Sequence, residues 1–211
     1  MNLILLGMPG AGKGTQAEFI QKDFGLANIS TGAMMREVSR SDSELATKVQ
    51  SYLSSGTLVP NEIIIEMLVE RIGKDDCSNG FLLDGFPRNL EQAKALDVAN
   101  ITIDLLLYLS IQEEEIISRM SGRRVHLASG RSYHIVHNPP SKEGFDDISG
   151  EALIQREDDN PEVIKKRLSV YYDETEPLLE FYKNKNLKFI EIDASKSVDE
   201  VTDSIRQSIS S

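Results

Sequence analysis

Four short apolar runs stand out along the chain, at residues 3–6, 81–83, 105–109 and 189–192, and a weaker one covers residues 26–29. Within each run the apolar residues are continuous instead of alternating with polar ones. This pattern is typical of strands in a parallel sheet, because helices cover both faces of such a sheet. The runs therefore predict a central parallel sheet of five strands.

Helical patterns with recognisable ends separate these runs. Residues 15–24 form one such pattern and are followed by Gly25, which suits a helix C-terminus. Residues 62–72 form a second, which Asn61 is placed to cap and Gly73 to close. Strands and helices thus alternate, which predicts an α/β doubly wound domain.

Two further helix starts are marked by capping residues. Asn160 followed by Pro161 predicts a helix over residues 162–172, because proline is favoured at the first helical position. Ser110 has the capping-box spacing to Glu113, so the acidic residues 113–115 would lie at the positive end of a helix dipole. Capping alone therefore accounts for that acidic run.

Two segments interrupt the alternation of strands and helices. Residues 30–59 contain helical patterns but no strand, whereas residues 122–159 contain two short strand patterns, 124–126 and 132–134, around the turn at 129–131. We therefore expect two small lobes on one core. The core comprises residues 1–29, 60–121 and 160–211.

Composition narrows the range of partners. The formal net charge of −11 repels polyanions, so we expect neither a nucleic acid nor an anionic membrane surface as a partner. Any anion that binds must then be met by local positive charge. The single cysteine, Cys77, cannot form an internal disulfide. Together with the lack of an export-signal pattern, this leads us to expect a cytoplasmic protein.

A glycine-rich segment follows the first apolar run and precedes a helix. It reads Gly7-Met8-Pro9-Gly10-Ala11-Gly12-Lys13-Gly14-Thr15. In such a loop, backbone N–H groups and the helix N-terminus surround phosphate oxygens, and the lysine adds a full charge. The usual hydroxyl directly after the lysine is replaced by Gly14, and Thr15 supplies it one residue later. The segment predicts a nucleotide-phosphate site.

Residues 7–15, together with Asp84-Gly85-Phe86-Pro87-Arg88, resemble the nucleoside monophosphate kinases. The resemblance extends over nearly the whole chain. Further motifs in family order are Ser30-Thr31-Gly32 with Arg36, Gly122-Arg123-Arg124, Asn138-Pro139-Pro140, Arg156-Glu157-Asp158-Asp159 and Lys166-Arg167-Leu168. The length of the 122–159 segment is similar to that of the long-lid adenylate kinases.

The resemblance implies a three-layer P-loop fold with a helical AMP-binding lobe at 30–59 and a β-rich lid at 122–159. It also implies a monomer that transfers the γ-phosphoryl group of Mg-ATP to AMP, giving two ADP. The implied catalytic residues are Lys13, Arg88, Arg123, Arg156 and Arg167. The implied ATP-binding residues are Gly10, Ala11, Gly12, Lys13, Gly14, Thr15, Arg119, Arg123, Ser132, Tyr133 and His134. The implied AMP-binding residues are Thr31, Arg36, Val59, Gly85, Phe86, Arg88, Gln92, Arg156 and Arg167.

Arginines suit this chemistry because a phosphate dianion must approach an anionic triphosphate. Guanidinium forks match phosphate oxygens and stay charged when desolvated. By resemblance, Asp84 would hold magnesium through water, although it could also be a turn residue. Asp158 resembles a lid residue that assists closure, with helix capping as the alternative.

The sequence departs from the family pattern at two places. Ala33 stands where the family usually has an aspartate after Ser-Thr-Gly, which suggests looser magnesium binding. Some relatives hold zinc in the lid through four cysteines. Here the matching residues are His126, Ser129, Asp146 and Ser149, so we expect no zinc and hydrogen bonds among these side chains instead. A metal site formed by His126, His134 and His137 remains an alternative.

Three other functions stay open at this point. A kinase of the same fold could use GTP or another nucleoside monophosphate. A regulatory GTPase would need an Asn-Lys-x-Asp stretch that reads guanine, and the sequence has none. A nucleotide-binding module without catalysis would explain Ala33, but it would not explain the set of charged motifs.

Overall fold

The computed structural model describes residues 1–40 and 44–210. Its strands are β1 Asn2–Gly7, β2 Ala27–Ser30, β3 Phe81–Asp84, β4 Leu105–Ser110, β5 Arg123–Val125, β6 Ser132–His134 and β7 Lys188–Asp193. Five of them form one parallel sheet in the order β2-β3-β1-β4-β7. All five apolar runs are strands of this sheet, so the predicted sheet is confirmed.

The side chains of β1 explain why its apolar run is continuous. Leu3 and Leu5 belong to one hydrophobic cluster, and Ile4 and Leu6 belong to a second cluster on the other face. All four are at most 3% exposed. Both faces of the sheet are therefore covered, as the sequence pattern indicated.

Helices form the two outer layers of the fold. They are α1 Lys13–Phe24, α2 Thr31–Val38, α3 Glu44–Ser55, α4 Asn61–Ile72, α5 Leu90–Val98, α6 Glu113–Ser121, α7 Pro161–Val170, α8 Pro177–Lys183 and α9 Val198–Ser210. Buried residues of α1, α6, α7 and α9 join the cluster that contains Leu3. Those of α2, α4, α5 and α8 join the cluster that contains Ile4. In the described ranges, no helix combines the length and apolarity needed to cross a bilayer.

The two interrupting segments have the predicted kinds of structure. The described part of 30–59 contains α2 and α3 and no strand after β2, while residues 41–43 of that predicted lobe lie outside the described residues. In 122–159, β5 and β6 pair antiparallel, and Gly130 between them has φ 77°. The hairpin is thus confirmed, with its first strand one residue earlier than predicted.

Three predicted helix ends are confirmed, and one of them is Gly73, which follows the last residue of α4. Gly25 follows α1 in the left-handed conformation with φ 66°. The Asn160 side chain accepts a hydrogen bond from the Val163 N–H at 3.0 Å and caps α7. Because Asn160 is the capping residue, the capping alternative for Asp158 does not hold.

Two other predicted caps are wrong. Asn61 lies inside α4, whose N-cap is Pro60, and its Oδ1 accepts a hydrogen bond from Gln92 Nε2 at 2.8 Å. Ser110 remains in β4, where its hydroxyl donates to a carbonyl of β7, and α6 starts after Gln112. In both cases a tertiary partner takes the side chain that local spacing assigned to a cap.

Candidate functional site

A cleft of about 570 Å³ opens at the carboxyl ends of β1, β2 and β3. Ligands of open α/β sheets bind at this edge. Among the described residues, nine basic and three acidic side chains line the cleft. The basic residues are Lys13, Arg36, Arg88, Arg119, Arg123, Arg131, Arg156, Arg167 and Lys196, and the acidic ones are Glu18, Asp84 and Asp158. A protein of net charge −11 thus builds one strongly positive pocket.

The glycine-rich segment forms one wall of this cleft. Gly12 is the N-cap of α1 with φ 92°, and a Cβ built there would meet nothing within 4 Å. The helix N-terminus therefore faces open space, where backbone N–H groups can meet an anion. Lys13 Nζ donates to the carbonyls of Gly7 at 2.6 Å and Met8 at 2.7 Å. Of the six predicted ATP-binding residues in this segment, Ala11 is buried behind the wall and the other five line the cleft.

The charged form of Lys13 is disfavoured by its surroundings. Burial, with the charges of Arg88, Arg167 and Arg123 and against the opposing effect of Asp84, lowers the pKa of Lys13 to about 7. Desolvation and like charges both disfavour the ammonium form. An anion in the cleft would reverse this effect and restore the charge.

All five predicted catalytic and phosphate-binding arginines after Lys13 lie together. They are Arg36, Arg88, Arg123, Arg156 and Arg167. Burial, followed by Arg123 and Arg36, lowers the pKa of Arg156 to about 9. Within the part of the chain that the structure describes, neither Arg36 nor Arg156 ion-pairs with a carboxylate. These two guanidinium groups are available to a ligand.

Two of the arginines are oriented by carboxylates. Arg123 forms a two-pronged pair with the buried Asp159, in which Nε lies 2.8 Å from Oδ2 and Nη2 contacts Oδ1. Arg167 Nη1 lies 2.7 Å from Asp158 Oδ2. Each guanidinium has five N–H groups, so both keep donors for a ligand. The carboxylates therefore position these arginines without using all of their donors.

Arg88 is held by its own loop. Its Nε donates to the Gly85 carbonyl at 2.8 Å, and its main-chain N–H donates to Gln92 Oε1 at 2.7 Å. Thr31 Oγ1 also donates to the Gly85 carbonyl, at 2.9 Å. The terminal nitrogens of Arg88 remain for a ligand.

The predicted AMP-binding residues divide into two groups. Arg36, Gly85, Arg88, Arg156 and Arg167 line the cleft. The others are buried behind the wall, each at most 6% exposed: Thr31, Val59, Phe86 and Gln92. Thr57 and Leu58 line the cleft where Val59 was expected. Gln92 supports Arg88 instead of facing the cavity.

Arg119 and His134 both line the cleft, as predicted for the adenine of ATP. The N–H groups of Val136 and His137 donate to His134 Nδ1 at 2.9 and 3.0 Å, which assigns the ring proton to Nε2. Burial, followed by the charge of His137, lowers the pKa of His134. A Cβ on Gly122 would collide with this ring, so glycine is needed there. A neutral flat ring is thus available for stacking.

The residues of the 122–159 segment at the positions where some relatives hold zinc bond to one another, as expected. His126 contacts Ser129 Oγ at 2.7 Å through Nδ1, and Ser149 Oγ at 3.2 Å through Nε2. Ser149 Oγ in turn donates to Asp146 Oδ2 at 2.8 Å. Sequence reasoning missed Arg131, whose Nη2 lies 2.6 Å from Asp146 Oδ2. Over the described ranges, no group of three or more His, Cys, Asp or Glu side chains could hold a metal ion.

The predicted ATP-binding residues of β6 also lie at the cleft. Ser132 and Tyr133 line it. The Tyr133 hydroxyl, however, donates to Asp146 Oδ1 at 2.9 Å and accepts from the Asp147 N–H at 3.0 Å. Tyr133 therefore acts mainly as a support of the lid.

Sequence reasoning also missed a stretch of the wall formed by Lys196, Ser197 and Val198. This stretch lies between the end of β7 and the start of α9, at the same edge of the sheet as the glycine-rich segment, which we call the phosphate loop. The only available signal was its place directly after a parallel strand, where ligand-binding loops gather.

The magnesium that the family resemblance implies fits the residues present. Asp84 ends β3 and lines the cleft together with the hydroxyl residue Thr15. In the described structure, the Asp84 carboxylate has no hydrogen-bond partner, although its main-chain oxygen accepts from Thr31. Magnesium that accompanies a phosphate substrate is usually held by one or two carboxylates, with water and phosphate oxygens completing the shell. The donor set at this edge matches that pattern.

Comparison with known proteins shows the family to which the chain belongs. Residues 5–187 match the family described as "Adenylate kinase". The chain is similar to the adenylate kinase of Francisella philomiragia subsp. philomiragia, with 49% identity over 97% of this chain and 98% of that protein. A match over most of the chain and this identity both establish the family. The chain belongs to the adenylate kinase family.

Proposed function

We propose that the chain catalyses reversible transfer of the γ-phosphoryl group of Mg-ATP to AMP, giving two ADP, as a monomer in the cytoplasm. Membership of the adenylate kinase family makes it a phosphotransferase of the nucleoside monophosphate kinase type. The named substrates, the residue roles below and the division into core, AMP-binding lobe and lid are part of the proposal.

One observation carries the proposal: Lys13 and five arginines line a single cleft in an acidic protein. Phosphoryl transfer requires little covalent help from the protein, and catalysis consists of positioning and charge stabilisation. Two nucleotides that meet through their phosphates would bring several negative charges into this cleft. The cations offset that repulsion.

The donor nucleotide belongs on the phosphate loop. There the N-terminus of α1 and Lys13 would bind the β- and γ-phosphates, while Arg119 and His134 would stack on the adenine. Arg123, Arg156 and Arg167 would contact the transferring group.

The acceptor nucleotide, AMP, would bind in the part of the cleft formed by α2 and β3. Arg36 and Arg88 would hold the AMP phosphate, which is already a nucleophile and needs no general base. Asp84 would hold magnesium through water, and Thr15 could offer a further oxygen. When bound, magnesium neutralises charge on the β- and γ-phosphates.

Closure of the two lobes would exclude water as a competing acceptor. A contact between the lobes supports this step, since Arg40 Nη1 at the end of α2 lies 3.4 Å from the Leu127 carbonyl in the lid. The ion pair between Asp158 in the lid and Arg167 in the core makes a second connection.

A coupled assay that detects any nucleoside diphosphate tests the proposed function. The purified chain is given Mg-ATP with AMP, and separately each combination of ATP or GTP with AMP, GMP, CMP or UMP. We expect ADP formation to be fastest with ATP and AMP. A faster reaction with another donor or acceptor would replace the proposed substrates, and no transfer with any pair would refute the function.

The lowered pKa of Lys13 predicts proton uptake when ATP binds. Before ATP binds, a pKa of about 7 leaves Lys13 mostly neutral at pH 8, and bound phosphates favour its charged form. We expect uptake of roughly one proton per ATP at pH 8 and almost none at pH 6, which follows from linkage of binding to protonation. Calorimetry of ATP binding in two buffers of different ionisation enthalpy measures this. Equal heats at pH 8 in both buffers would contradict the prediction.

Ala33 lines the cleft on α2 and offers no carboxylate there. We expect Ala33→Asp to lower the magnesium concentration for half-maximal activity by about three- to tenfold, as one added charge acting on a divalent ion through water would do. Magnesium titration at fixed nucleotide measures it, with Ala33→Asn as the uncharged control. Identical half-saturation in A33D and the parent would end the idea that magnesium is held loosely.

A further inference from the structure

Thr175 is a buried threonine whose hydroxyl reaches across the fold. It is 8% exposed and lines the cleft next to Arg88. Its Oγ1 donates to the main-chain carbonyl of Arg88 at 2.7 Å, and 87 residues separate the two along the chain. A single hydroxyl therefore connects the C-terminal part of the core to the arginine of the acceptor side.

An irregular helical turn brings Thr175 to this place. Residues Tyr171–Thr175 form a π-helical turn between α7 and α8, in which the Glu176 N–H bonds to the Tyr171 carbonyl at 2.9 Å. Such turns are rare, and they are often found at functional sites. A π-helical turn holds one more residue than an α-helical turn, so the side chains after it point in different directions from those of a regular helix. In this arrangement, the Thr175 hydroxyl reaches the Arg88 carbonyl.

The main chain of Arg88 is held from both sides by polar side chains. Gln92 Oε1 accepts from its N–H at 2.7 Å, and Thr175 donates to its carbonyl. Gln92 is itself fixed, because its Nε2 donates to Asn61 Oδ1 at 2.8 Å. With Nε also bonded to Gly85, the backbone and the base of the guanidinium are both constrained. Among residues 1–40 and 44–210, no hydrogen-bond partner is found for the terminal nitrogens of Arg88.

We propose that Thr175 is a positioning residue for the reaction: by bonding to the Arg88 carbonyl, it holds the guanidinium of Arg88 in place for the acceptor phosphate of AMP. This inference rests on the proposed function. Preorganised groups bind a ligand more tightly because less conformational freedom is lost on binding. Loss of the Thr175 hydroxyl would loosen Arg88 while leaving its charge in the cleft.

Thr175→Val and Thr175→Ser separate positioning from packing. Valine keeps the shape and removes the hydroxyl, whereas serine keeps the hydroxyl. For T175V we expect the dissociation constant and the KM for AMP to rise about three- to tenfold, the size of one lost hydrogen bond, with the KM for ATP within about twofold of the parent. T175S should restore the AMP values. Steady-state kinetics and calorimetric titration with AMP measure these changes.

Thr202→Val is the matched control, because Thr202 is another buried threonine whose hydroxyl bonds to Gln16 and Val198. T202V should leave the KM for AMP unchanged. Equal AMP affinity in T175V and the parent would overturn the inference. So would equal losses for both substrates, or failure of serine to restore AMP binding. If the parent binds AMP but makes no ADP, the proposed function fails, while the AMP titrations still decide the role of Thr175.

Discussion

Replacement of Arg88 by alanine is expected to lower kcat/KM for AMP by about 10³- to 10⁵-fold, the range found for arginines that stabilise a transferring phosphoryl group. Arg88 and Gly85 line the acceptor side of the cleft, and the bond from Nε to the Gly85 carbonyl leaves the terminal nitrogens of Arg88 for the AMP phosphate. Initial rates over a range of AMP concentrations at saturating Mg-ATP measure the loss.

Two variants control this prediction. Arg88→Lys keeps a positive charge but loses the fork, so most of the activity should still be absent. Arg206→Ala removes an exposed arginine that pairs with Asp23 and Asp203 away from the cleft, and it should be fully active. The Gly85 carbonyl still accepts from Thr31 in R88A, so a similar Tm is expected. Near-parental turnover by R88A would remove Arg88 from the mechanism.

Lys13→Met is expected to lower kcat by about 10²- to 10³-fold, as happens when one preorganised donor to a developing negative charge is removed. Methionine fills a similar volume without the charge. Because burial lowers the pKa of Lys13, the empty fold gains little from the ammonium, and Tm should not fall. Single-turnover measurement of ADP formation reports the chemical step.

Lys22→Met is the matched control for this variant, since Lys22 is an exposed lysine on the same helix, α1. It should retain parental rates. The same loss in K22M and K13M would mean that overall charge, and not the position of Lys13, controls the reaction.

The sheet and the phosphate loop could be predicted because their signals are local and strong. A strand buried on both faces must be apolar throughout, and Leu3 to Leu6 show this directly. A glycine-rich turn between such a strand and a helix is typical of a phosphate-binding loop. The arginines that line the cleft came from motif resemblance, since no periodicity distinguishes them from surface arginines.

The wrong or missing predictions share a cause, which is competition from tertiary partners. Asn61 could cap α4 by spacing, but Gln92 and Asn89 donate to its amide oxygen instead. The contact of Gln92 with AMP stays a prediction; sequence reasoning missed that Gln92 is fully buried and accepts a hydrogen bond from the Arg88 N–H. Thr175 carries no signal at all, because its role depends on a π-helical turn and on a partner 87 residues away.

The central claim is that this cleft neutralises two facing nucleotides and passes a phosphoryl group directly between them. Mass spectrometry tests it with ATP carrying ¹⁸O in the γ-phosphoryl group and AMP carrying ¹⁵N in the adenine. The account predicts that the ¹⁸O lost from ATP appears in ADP that carries the ¹⁵N, with none in free phosphate. Release of ¹⁸O as inorganic phosphate, or ¹⁵N-labelled ADP that lacks the ¹⁸O, would contradict direct transfer in a closed cleft.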